Sequence, residues 1–200
     1  MQERPALVAT GFKEWSSVCA AVGAGRQQII LRKGGIAEGR TGFSFAKHNA
    51  FFLFPTLFHQ QDESVRETFE LEDVPVVDGP IPLRYFAEIA WHGELRDWDA
   101  VQKLEPLHIW KETVIRERFD YDDEPGQGSV QLAVLRVWEL PETWWIPYHR
   151  SYGGCRSWVD LPAIPEELTV AEVRQITGVI QCNELVTLLG NCGVDVSLSM

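Results

Sequence analysis

An eleven-residue run in the second half of the chain, Val-Gln-Leu-Ala-Val-Leu-Arg-Val-Trp-Glu-Leu over 130–140, most constrains what this sequence can fold into. It is rich in β-branched and aromatic residues and long for a strand, so the chain must build a sheet around it. A second run, 83–91, alternates: Leu83, Tyr85, Ala87, Ile89 and Trp91 fall on one face, Arg84 and Glu88 on the other. That period of two predicts a half-buried strand. Further strands are predicted over 27–33, 43–45 and 51–54, the last closed by Pro55, with a turn at Lys47-His48-Asn49.

Helical spacing appears between these runs. Phe12, Trp15, Cys19 and Val22 recur at intervals of three and four, which predicts a helix over 11–24 ended by Gly23 and Gly25. Helices are also predicted over 97–104 and 109–119, and a polar helical segment over 59–69. Beyond Pro162 and Pro165 the pattern turns helical, with a capping box at Thr169-Val-Ala-Glu ahead of 170–180 and a short helix at 183–189. Helices and strands do not alternate regularly, so a doubly wound parallel sheet is not expected. The reading is an α+β domain over 1–160 around a curved, largely antiparallel sheet, with a helical appendage over 161–200.

The composition is ordinary for a globular protein, with 45% hydrophobic and 24% charged residues in 200. No apolar run approaches the length of a membrane span, so no membrane partner is expected. The start of the sequence lacks a signal-peptide layout, and Cys19, Cys155, Cys182 and Cys192 form no CxxC pair. A cytoplasmic protein with reduced thiols follows as the expectation. A net charge of −11 argues against coating nucleic acid through bulk electrostatics. The charge is uneven, however. Residues 1–60 carry seven Lys and Arg against three acids, whereas 61–100 carry three against eleven.

That basic first third holds the chain's most suggestive motif, Leu31-Arg32-Lys33-Gly34-Gly35. Glycines let backbone N–H groups approach a ligand, and adjacent Arg and Lys suit phosphate or carboxylate. Lys13-Glu14-Trp15, on the preceding predicted helix, can bring a carboxylate to orient those cations and an indole to stack. The candidate ligand-binding set is therefore Lys13, Glu14, Trp15, Arg32, Lys33, Gly34 and Gly35. The blander alternative is a hairpin corner with solvated cations and a core Trp15.

Candidates for catalysis are His59, His108 and Cys155. The thiol sits in Tyr152-Gly153-Gly154-Cys155-Arg156, a glycine turn beside a cation, with His149 upstream. No pair of histidines has metal-ligand spacing, and none of the five lysines has an acid two positions before it, as a D/E-x-K nuclease requires. No metal and no cofactor are expected. Of eight tryptophans, Trp91 and Trp138 read as core, while Trp144-Trp145 between two prolines can offer a partner surface.

Lys13-Glu14-Trp15, Leu31 to Ile36, Leu53-Phe54-Pro55-Thr56, His59-Gln60, His108-Ile109-Trp110 and Tyr152 to Val159 together resemble the bacterial domain of unknown function numbered 1802, in order from about residue 7 to 160. The resemblance implies a prokaryotic cytoplasmic protein and carries over no catalytic residue. A shorter stretch, Gly25 to Arg32, is similar to ASCH domains, whose PUA-like β-barrel often handles RNA or modified nucleotides. It keeps the glycine, the strand and the final Arg32 but has Gln27 and Ile30 where that family has Lys and Glu. The reading these observations favour is a protein that binds a phosphate-bearing, nucleotide- or nucleic-acid-like anion at the Arg32 turn. The alternatives are a hydrolase or nuclease in the same cleft, or a protein–protein module.

Overall fold

The computed structural model describes residues 5–33, 44–57, 61–69, 73, 75–121, 128–154, 156–168, 174–176, 187 and 189–190. Its backbone is a pair of long antiparallel strands, β4 (Ile81–Leu95) and β5 (Val130–Ile146). They pair from Ile81↔Ile146 to Leu95↔Val130, with irregularities between Leu83 and Tyr85 and between Ile89 and Trp91. Those slips interrupt the simple alternation read from 83–91, and both faces of this strand carry buried residues, Phe86 and Ala87 in succession.

The other strands are β1 (Thr10–Trp15), β2 (Ile29–Arg32), β3 (Ala50–Thr56), β6 (Trp158–Asp160) and β7 (Arg174–Ile176). The sheet runs β2-β5-β4-β3-β1-β6, with β7 also on β5. Among the described strands only β1 and β3 pair in parallel. The helices are α1 (Ser16–Gly23), a single turn α2 (Gln61–Ser64), α3 (Trp98–Gln102) and α4 (Glu112–Asp120). The protein is thus α+β with a mostly antiparallel seven-stranded sheet.

The apolar run of β3 has a direct cause. Phe51 and Leu53 enter one core cluster with α1, β2 and α4, while Phe52 and Phe54 enter a second with Ile81, Trp138 and Val159. A strand covered on both faces has no position for a polar residue. The sheet also curls. Three strands separate β2 from β1, a distance of roughly 19 Å in a flat sheet. Yet the Arg32 guanidinium at the end of β2 donates to the Lys13 carbonyl of β1 at 2.9 Å.

Four expected elements differ. Residues 11–15 are strand, and the first helix begins at Ser16. Pairing of Gly11 to Trp15 with Phe52 to Thr56 overrides the helical spacing. Gly11 serves close packing there, because a Cβ would sit 2.8 Å from Val159 Cγ2. The exit of α1 is as read: Gly25 adopts φ 71° and Arg26 N–H returns to the Ala21 carbonyl. Phe45 begins a 3₁₀ turn, capped by Ser44 Oγ on Ala46 N–H, in place of a strand, and Phe43 lies outside the described residues. Ile109 and Trp110 precede α4 in extended form, because Trp110 bridges to Val65. Within the helix expected over 170–180, Arg174–Ile176 is strand, paired with Val137 to Glu139. The rest of that helix, and nearly all of 183–189, lie outside the described residues.

Candidate anion-binding site

Strand β1 ends one residue beyond Glu14, and the side chains of Lys13 and Glu14 leave it on opposite faces. Lys13 Nζ donates to the Tyr152 and Gly154 carbonyls at 2.6 and 2.8 Å, and its own N–H bonds to the Ser157 carbonyl. This lysine fastens the glycine turn to the sheet edge. Glu14 turns the other way and is 1% exposed. Its Oε1 accepts from Trp15 N–H at 2.9 Å, while Oε2 accepts no hydrogen bond. The Glu14 carbonyl receives Thr56 Oγ1 at 3.0 Å and Cys19 Sγ at 3.9 Å. Burial, and then the Glu14 charge, push the Cys19 thiol up, so that sulfur is a packed, protonated group.

Arg32 brings Nη1 to 3.8 Å from Glu14 Oε2 and stands 5.4 Å from the Phe12 ring centre. The carboxylate and the cation that the sequence suggested as partners do meet. They meet across the curl of the sheet, with Glu14 on a strand.

Sequence reasoning missed a third member, Arg118 of α4. Its guanidinium lies 5.2 Å from the Trp15 ring and 4.6 Å from the Trp110 ring, and Nη1 donates to the Leu31 carbonyl at 2.8 Å. Burial brings its pKa down to about 10, with Glu14 opposing and Arg32 assisting the shift. It therefore stays charged at neutral pH. Its sequence signal was position: three residues after Ile115 and one before Phe119, on the rim of the apolar stripe of α4. Lys33 completes the corner. Its Nζ donates to the Ser129 and Phe119 carbonyls at 3.1 and 3.3 Å, so Arg118 and Lys33 cross-tie α4 to the end of β2. Two cations, Arg32 and Arg118, thus stand beside one carboxylate, with Lys33 tied to the adjoining end of α4. Trp15, half-buried, forms the aromatic wall. Gly34 and Gly35 lie outside the described residues.

Of the three catalytic candidates, His108 alone falls among the described residues. His59 and Cys155 lie outside the described residues. His149 Nδ1 accepts from Ser151 N–H and caps the 3₁₀ turn Arg150–Tyr152. His108 is 3% exposed, packs against Trp110, and among the described residues has no hydrogen bond to Arg32 or Glu14. Burial first, then the Arg66 and Arg118 charges, bring its pKa down to about 3 against a smaller pull from the Trp110 main chain. Among the described residues no three His, Cys, Asp or Glu side chains gather as a metal would need. No described helix is long and apolar enough to cross a membrane. Trp91 and Trp138 are buried at 3% and 4%, and Trp144 packs edge-on against Phe52.

The sequence profile described as domain of unknown function (DUF1802) matches residues 11–177. The chain belongs to that family. The match runs from the second residue of β1 through β7, and so takes in every residue of the corner just described. No curated protein matches the chain. Among solved structures it is similar to ASCH from Zymomonas mobilis, at 12% identity and a TM-score of 0.44 over 83% of this chain and 96% of that one. A single-substitution variant of the ASCH protein from the same organism gives 12% identity and a TM-score of 0.39 over 64% of this chain and 66% of that one.

Proposed function

We propose that this protein binds a phosphate-bearing anion of nucleotide or nucleic-acid type at the corner where β1 passes into α1, β2 ends and α4 packs. The observation that carries this reading is the local excess of positive charge. Arg32 and Arg118 stand beside the carboxylate of Glu14, and Lys33 follows at the end of β2, in a chain whose net charge is −11. A bound phosphate offsets that excess, and Arg offers a planar fork that matches its oxygens. Trp15 supplies a ring face for a base, and Gly34-Gly35, directly after Lys33, complete the proposed set with main-chain donors. Lys13 supports the site from the opposite face of β1.

The test is thermal stabilisation by inorganic phosphate, ATP and a short single-stranded RNA. A ligand that binds only the folded state raises the unfolding temperature with its concentration. The wild type is expected to respond to at least one of these probes, and Arg32→Ala with Lys33→Ala to lose the response while still unfolding cooperatively. Equal stabilisation of the double variant, or no response of the wild type to any probe, overturns the reading.

A second reading, a protein–protein module, rests on Trp145 at 48% exposure near Tyr148 at 40%. Light scattering of the wild type against Trp145→Ser tests whether that indole supports self-association.

A further inference from the structure

A concavity separate from that corner lies among the helices that connect β4 to β5. It measures about 60 Å³ and opens between α3, the turn Glu105–Leu107 and the start of α4. That is several times the ~10–15 Å³ that one water needs. Val101 and Ile115 form its apolar wall and Trp98 one side.

Its polar lining is one-sided. The two formal charges, Glu105 and Glu112, are both negative. Gln102 Nε2 donates to Glu112 Oε1 at 3.1 Å, which holds the amide beside that carboxylate with its carbonyl oxygen as a further acceptor. Arg66 approaches Glu105 Oε1 at 3.6 Å but directs its hydrogen bonds to the main-chain carbonyls of Glu105, His108 and Trp110. His108 lines the cavity while 3% exposed, and its Nδ1 has no hydrogen-bond partner. A buried polar nitrogen without a partner is costly, and a bound group can relieve that cost. The pKa near 3 keeps the imidazole neutral at physiological pH, so it does not repel a cation.

We propose that this cavity is a recognition site for a primary ammonium group, carried by a small aliphatic amine or by a lysine side chain. Three N–H donors on one compact cation match Glu105, Glu112 and the Gln102 carbonyl, while a short methylene chain packs on Val101, Ile115 and Trp98. The site does not depend on the anion corner, and its test keeps the two apart.

The experiment is calorimetric titration of the full chain with n-butylammonium chloride at fixed ionic strength, against 1-butanol as the uncharged analogue. The ammonium is expected to bind at least about tenfold more tightly than the alcohol, since a unit charge near two carboxylates adds attraction the hydroxyl lacks. Glu112→Gln and Glu105→Gln, both at exposed positions, are each expected to weaken binding by about fivefold while preserving the fold. Arg32→Ala is expected to leave it unchanged. Two further ligands identify the source: tighter binding of acetyl-Gly-Lys-Gly-amide than of 1,5-diaminopentane assigns a protein lysine, and the reverse order assigns a free amine. Equal binding of butanol and butylammonium, an unaltered Glu112→Gln, or no binding by any amine overturns the proposal.

Discussion

Arg118 and His108 pack against the same indole, Trp110, and water is largely kept from both, yet they end with opposite charge character. Burial brings the guanidinium only to about 10, far above neutral pH, whereas it brings the imidazole to about 3. The starting pKa decides the outcome. The same desolvation leaves the guanidinium beside Trp110 charged and the imidazole beside it neutral.

The largest break in that comparison is expected at Glu14. Glu14→Ala leaves Arg32 and Arg118 without their counter-charge and should cost about 3–5 kcal/mol of stability, read from urea denaturation. A loss under about 1 kcal/mol would show that the corner tolerates its cations unassisted. Gln27 comes next, because it joins the two regions. Its Oε1 accepts from Ile109 N–H at 3.0 Å and its Nε2 donates to the Ile29 carbonyl at 2.8 Å, all of it buried. Gln27→Leu orphans both main-chain groups and is expected to cost roughly 1–3 kcal/mol by the same assay.

The pH dependence sharpens the contrast. The folded pKa of His108 lies below its ordinary 6.5, so the unfolded chain binds the extra proton. The corresponding stability is present above pH 6.5 and is lost as pH falls toward 3. Between pH 6.5 and 5 the loss is expected to reach about 2 kcal/mol, and His108→Asn should flatten that part of the profile. The smallest effect concerns coupling across Trp110. Arg118→Met removes one of the charges opposing His108 protonation, so the imidazole resonances should titrate at higher pH, by less than about one unit. An unshifted titration would mean that the two sites are electrostatically independent.

Much of this was legible along the chain. The runs at 51–54, 83–91 and 130–140 are strands, Trp91 and Trp138 are core, and Gly25 ends the first helix, each because a local pattern matches a local geometry. The meeting of Glu14 with Arg32 was also anticipated. What failed was the element carrying Glu14, since Phe12, Trp15, Cys19 and Val22 fit a helical stripe equally well when a strand supplies the first two. Arg118 escaped notice because a charged residue beside an apolar stripe usually lies in solvent.

By itself, the order of residues determined that this protein builds a largely antiparallel sheet, because its β-branched and aromatic runs pair best as neighbouring strands. Only the tertiary structure decided that Glu14, Arg32 and Arg118 share one corner. Their convergence depends on the curl that brings the end of β2 back to β1, and curl is a property of the paired strands together, which no single segment encodes.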